Sequence, residues 1–200
     1  MTTTVNADQV RQLRERTGAG MMECKKALVE NGGDFDAAVD ALRKSGIARA
    51  ENRSGRAARE GLVESYIHPG GRVGVLIEVN CETDFVARTE VFRDLVRNLA
   101  MQVAAAGAEF VRREDVPAER VAREREFLAS QLESEKKPAN ILEKIVEGRL
   151  NKLFGEICLL EQPYIKDDKV TVASLVQEAT SKTGENVVVR RFSRYRLGED

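Results

Sequence analysis

The chain has 200 residues, with 32 Lys and Arg against 33 Asp and Glu. That length suits one sizeable domain, or one domain with a small companion, and the balanced charge argues against non-specific nucleic-acid binding, which needs a basic excess. No apolar run approaches the roughly 20 residues that span a bilayer, and the start from Met1 to Asp8 has neither a positive n-region nor an apolar h-region, so the expectation is a cytoplasmic protein without a secretory signal and without a membrane partner.

Residues 5 to 47 read as three short helices. Asn6 can cap the first, with Gln9 at the reciprocal position, and Val10, Leu13 and Thr17 make one face. Gly18 and Gly20 break it. The second runs from about Met21 to Glu30, with Cys24, Ala27 and Leu28 at helical spacing. Asp34 caps the third, where Phe35, Val39 and Leu42 recur, and Ser45-Gly46 is expected to stop it. A core this small is marginal on its own and suits a docking module better than a catalytic scaffold. Residues 48 to 60 are polar and rich in Ala and Arg, and read as a partly helical linker.

At Gly61 the period changes from 3.6 to 2. Leu62 to Ile67 and Val73 to Val79 are strands joined by the turn His68-Pro69-Gly70-Gly71-Arg72, with Val73, Val75, Ile77 and Val79 on one face. A two-stranded hairpin cannot stand alone, so a helix or another strand must cover that face. A strand-to-helix corner follows at Asn80 to Arg88. Thr83 or Asp84 can cap a short turn there, and Thr89 can cap the next helix, whose stripe is Val91, Phe92, Leu95, Val96, Leu99 and Val103. Phe85, beside Asp84, can complete the local core or project into another molecule.

From Val116 to Phe154 the chain reads as two helical arms. Val121, Phe127, Leu128 and Leu132 lie on the first and Ile141, Leu142, Ile145, Val146, Leu150 and Leu153 on the second, with a turn over residues 134 to 138. Their charge density predicts a protruding helical hairpin. Ile157 to Leu160 reads as a short extended piece; Gln162-Pro163 and Lys166 to Lys169 read as turns. Thr171 caps a last helix that ends at Gly184, and Asn186 to Leu197 is a strand. The fold class that follows is α+β, with an N-terminal three-helix module (1–47), a linker (48–60), and a core (61–200) in which an antiparallel three-stranded sheet is covered by helices and carries a helical hairpin at about 117–154.

Catalytic chemistry is hard to find. His68 is the sole histidine, which leaves no obvious nucleophile–base pair and no zinc cluster, so neither metal nor other cofactor is expected. No phosphate-binding glycine loop follows a strand. The three cysteines, Cys24, Cys81 and Cys158, form no CxxC pair and read as reduced thiols. Cys81 could be a nucleophile, but a buried structural thiol is the commoner case. Arg190, Arg191, Arg194 and Arg196 could meet phosphates, or simply blunt a strand edge.

Two motifs resemble the elongation factor Ts family. One is Leu13-Arg14-Glu15-Arg16-Thr17-Gly18-Ala19-Gly20-Met21-Met22-Glu23-Cys24-Lys25-Lys26-Ala27-Leu28; the other is Glu78-Val79-Asn80-Cys81-Glu82-Thr83-Asp84-Phe85-Val86-Ala87-Arg88. The likeness continues through Glu147-Gly148-Arg149-Leu150 and Leu160-Glu161-Gln162-Pro163. It implies a ubiquitin-associated-like N-terminal module and a short, single-core form that works as a homodimer. It implies a guanine-nucleotide exchange factor and not an enzyme. The expected partner is elongation factor Tu, GDP-bound and nucleotide-free, in a 2:2 complex. Partner-binding roles are implied for Thr83, Asp84, Phe85 and Val86, with Phe85 a wedge near the magnesium site and phosphate loop, and for Arg14, Met21, Met22, Lys25 and His68. Some short members link protomers by a cysteine where this chain has Ser193, so a dimer here is expected to be held by packing alone.

Overall fold

The computed structural model describes residues 5–51, 53, 55–132 and 138–199, with the side chains of 47–51 left aside. Helices α1 (Ala7–Thr17), α2 (Met21–Glu30) and α3 (Phe35–Glu51) come first. Strands β1 (Glu60–Ile67) and β2 (Val73–Cys81) follow, then the one-turn helix α4 (Asp84–Ala87) and the long helix α5 (Glu90–Ala106). Helices α6 (Ala118–Leu132) and α7 (Ala139–Ile157) lead to the short strands β3 (Pro163–Tyr164) and β4 (Asp167–Thr171). Helix α8 (Val172–Thr183) and strand β5 (Val188–Arg196) end the chain. The main sheet has the antiparallel order β1-β2-β5, and β3 pairs with β4 in a separate two-stranded sheet. The class is α+β, with helices flanking an antiparallel sheet.

Packing divides the chain into two units. The first comprises Met1–Val63, Glu78–Val96 and Ser174–Val189. In it the capping box expected for α1 is present, with Asp8 N donating to the Asn6 side chain and Asn6 N to Gln9. Val10, Leu13, Cys24, Ala27, Leu28, Ala38 and Leu42 close the core of the three helices. Helix α3 does not stop at Ser45-Gly46. It continues to Glu51, because Gly46 serves close approach here: a Cβ on it would stand 2.8 Å from Ser181 Oγ at the end of α8. Gly18, which ends α1 in a left-handed conformation, lies equally close to the Lys182 stem. The α3 extension runs into the segment expected to be linker.

The second unit comprises Glu64–Ile77, Arg97–Ala173 and Arg190–Asp200. Helices α6 and α7 pair around Val116, Leu128, Leu132, Val146, Leu150, Phe154, Ile157 and Cys158, and an Arg125–Glu147 ion pair at 2.6 Å spans them. Four of the five residues of the expected turn at 134–138 lie outside the described residues. Phe127, placed on the stripe by its spacing, is exposed, and so is Val91 of α5; each lies at the edge of its apolar arc, where periodicity alone does not decide burial. Helix α7 runs past Gly155 to Ile157, and the expected extended piece is reduced to a bridge between Cys158 and Phe110 followed by a 3-10 turn at Leu159–Glu161.

The segment expected to be two turns is the β3–β4 hairpin. It is held from outside: the fully buried Gln102 accepts from Ile165 N at 2.9 Å and donates to Pro163 O and to Gln162, each at 3.1 Å. Its own sequence has no alternation to reveal it. Of the face expected on β2, Val75, Ile77 and Val79 are buried and Val73, at the start of the strand, is half-buried. The opposite face is open. In the second unit Ile67, Gly74, Leu76, Tyr195 and Leu197 line a shallow depression, and Tyr195 is 74% exposed.

Candidate functional site

The corner after β2 is built from short-range chemistry. Cys81 ends the strand, and its thiol donates to Thr83 O at 3.1 Å. Thr83 caps α4, accepting from Val86 N at 3.5 Å. The Thr89 hydroxyl donates to Val86 O at 2.7 Å and caps α5 by accepting from Phe92 N at 3.3 Å. Val86 and Ala87 turn inward, Val86 at 9% exposure, and anchor the turn. Phe85 turns outward and is 78% exposed. Burying such a side chain gains about 2–3 kcal/mol, so the exposed ring makes Phe85 a candidate contact for another surface.

Beside the ring, Asp84 pairs with Arg88 one helical turn on, at 2.7 Å. Both are solvent-accessible, so the pair holds Asp84 by only about 0.3–0.5 kcal/mol. A competing donor can take the carboxylate at little cost. The strongest local restraint comes from far along the chain. Glu185, on the connector between α8 and β5, accepts from Glu82 N and Thr83 N at 3.0 Å each and from the Thr83 hydroxyl at 2.6 Å. Local pattern gives no sign of it.

The other residues expected at a partner surface divide in two. Arg14 on α1 and Met21, Met22 and Lys25 on α2 are all exposed. Adjacent methionines on a helix cannot both face one core, and here neither is buried, at 45% and 75% exposure. Val29, also exposed, shares the face of Met22 and Lys25. The expectation omitted it, although it lies out of phase with the core residues Cys24, Ala27 and Leu28. His68 belongs to the second unit. It is exposed in the β1–β2 turn, bonded to the Tyr66 hydroxyl at 3.1 Å.

Chemistry based on a reactive thiol finds no support. Cys24, Cys81 and Cys158 are buried and unpaired with one another. Burial, reinforced by the negative charge of Glu185, pushes the Cys81 thiol up to about 11, and burial does the same for Cys158. With thiolate scarce and access closed, none of the cysteines is expected to react with Ellman's reagent in the native protein at about pH 8, while denatured protein titrates all three. A prompt native reaction would contradict this. Among the described residues no cluster of His, Cys, Asp and Glu is arranged to hold a metal ion, and no helix is long and apolar enough to cross a membrane. Arg194 and Arg196 both pair with Glu199.

Comparison with known proteins adds a further observation. A family model described as "Elongation factor TS" matches residues 19–199. The chain is 60% identical over 195 residues to "Elongation factor Ts" of Moorella thermoacetica, covering 98% of this chain and 96% of that protein. It is 56% identical to "Elongation factor Ts" of Carboxydothermus hydrogenoformans, covering 98% and 90% respectively. It is 57% identical to that of Desulforamulus reducens, with the same coverage.

Proposed function

The chain belongs to the elongation factor Ts family, a family of translation elongation factors, and from that premise we propose that it is a guanine-nucleotide exchange factor. It binds GDP-bound elongation factor Tu and promotes GDP release, so that GTP can load. The observation that carries this reading is Phe85, 78% exposed on a corner anchored by the buried Val86 and Ala87 and bonded through Thr83 and Thr89. A phenyl ring is large and stiff, and a rigid turn delivers it in one direction. Inserted near the magnesium site and phosphate loop of the partner, it opposes nucleotide binding, and two ligands that oppose one another on one protein weaken each other equally. If burying the ring contributes about 2–3 kcal/mol, the coupling available is roughly 30- to 150-fold in nucleotide affinity. Asp84, loosely held by Arg88, competes for hydrogen bonds near the ion. Val86 acts as an anchor, and Thr83 sets the turn. Arg14, Met21, Met22 and Lys25 dock the N-terminal module, and His68 supplies a further contact.

No acid, base or nucleophile is needed for this work. The division of labour is a ubiquitin-associated-like docking module at 1–47, a connector at 48–60 and a core at 61–200, acting in the cytoplasm where elongation factor Tu works. The test is direct. Mixed with elongation factor Tu carrying a fluorescent GDP, the protein accelerates the loss of fluorescence in a saturable way; a release rate unchanged at saturation overturns the proposal.

The same reading includes a homodimer and a 2:2 complex with the partner. What supports it is the open sheet face of Ile67, Leu76, Tyr195 and Leu197, which a second copy covers by like-on-like packing. Ser193 leaves no bridging thiol on β5, and the cysteines are buried. Dimerisation is thus by packing. Tyr195→Glu, which places a charge on that face, is expected to weaken self-association at least about tenfold. Light scattering at micromolar concentration without reductant reads this as a shift from dimer to monomer mass. A monomeric wild-type chain under those conditions refutes the dimer.

A further inference from the structure

A single helical turn does not hold itself. Helix α4 has four residues, and nucleating a turn fixes several dihedral angles for very few bonds. Something else must keep Phe85 pointing one way. The connector between α8 and β5 does this reciprocally. The Glu185 carboxylate takes the backbone N–H groups of Glu82 and Thr83 and the Thr83 hydroxyl. In return the Glu82 carboxylate takes the backbone N–H of Asn186 at 2.7 Å, and the buried Asn186 side chain donates to Arg56 O at 2.8 Å. Bonds from a carboxylate to backbone donors are charge-assisted and about twice as strong as neutral ones. The same connector follows the turn of α8 that carries Ser181 and Lys182, the two side chains that Gly46 and Gly18 approach.

We infer that Glu185 is the positioning residue of this site. It touches no partner in this role. Its carboxylate fixes the height and direction at which Phe85 leaves the corner, and so sets how much of the binding energy is converted into GDP release. The inference rests on the reading of Phe85 as the group that opposes the nucleotide. It separates Glu185 from residues that only dock: loosening the corner leaves the docking surface intact but lets the ring swing, and a misplacement on the order of 1 Å can cost up to about a hundredfold in a rate.

The experiment is stopped-flow release of a fluorescent GDP from elongation factor Tu, titrated with the full chain and its variants to separate the maximal rate from the half-saturating concentration. Glu185→Ala is expected to lower the maximal rate roughly tenfold and to move half-saturation by less than about twofold. Glu185→Gln recovers most of the rate, because its carbonyl still accepts both backbone N–H groups and its amide donates to the Thr83 oxygen. Glu185→Asp, one methylene shorter, does not. In a Phe85→Ala background Glu185→Ala has no further effect, since it acts through the ring. A wild-type maximal rate for Glu185→Ala, with Phe85→Ala slow, overturns the positioning role and leaves the reading of Phe85 standing. A wild-type rate for Phe85→Ala sinks that reading and the positioning role with it. Parallel loss of rate and half-saturation together with a lower melting temperature makes Glu185 merely structural and overturns the inference. Should Glu185→Ala fail to fold, the Gln and Asp variants decide, and equal rates for the two overturn it.

Discussion

Gly61→Ala is expected to destabilise the chain by about 3 kcal/mol or more. Gly61 stands near the start of β1 with φ of 141°, a conformation L side chains rarely adopt. Space is refused as well. A Cβ there would lie 2.1 Å from Val79 O and 2.7 Å from Asn80 Cα, both backbone atoms of the facing strand, which cannot rotate away. The β1–β2 pairing must open, or β1 must shift, and Asn80 would lose the bond its side chain makes to Glu60 O. Against a typical stability of about 5–15 kcal/mol, that is a large fraction. In urea, followed by circular dichroism, the midpoint should fall by roughly 1–2 M with little change in slope. An unchanged midpoint contradicts the close approach seen at this strand.

Much of this fold is written locally. The Asn6–Gln9 box, the Asp34 cap and the Thr83 and Thr89 caps each involve residues three apart, and the strand alternation at Val73 to Val79 needs only its own neighbours. What local pattern does not carry are features whose cause lies elsewhere in the chain. Gly46 reads as a helix stop until Ser181 is seen against it. Asp167-Asp168-Lys169 reads as a turn until Gln102 is seen holding the hairpin. Glu185 is one carboxylate among many until the backbone of Glu82 and Thr83 is seen folded onto it. The position of the corner was legible, as was its capping. The direction of the ring was not: a phenyl group at a strand-to-helix junction can face either way, and only its exposure beside buried Val86 separates the two.

Phe85→Ala is expected to leave the protein's own stability within about 0.5 kcal/mol, because the ring makes its contacts with solvent and the bonds of the corner do not involve it. Its effect on the partner should be of a different order. On the proposed reading, docking through Arg14, Met21, Met22 and Lys25 should persist, so complex formation with nucleotide-free elongation factor Tu is expected to weaken modestly, while the opposition to GDP is expected to be lost with the ring. A contribution of about 2 kcal/mol from its insertion corresponds to roughly a 30-fold lower stimulated release. The most direct measurement is the stopped-flow release of a fluorescent GDP from elongation factor Tu at saturating wild-type or Phe85→Ala protein. A maximal rate at least about tenfold lower for the variant, with half-saturation little changed, is the expected result. Equal maximal rates for the two proteins would contradict Phe85 as the group that drives nucleotide release.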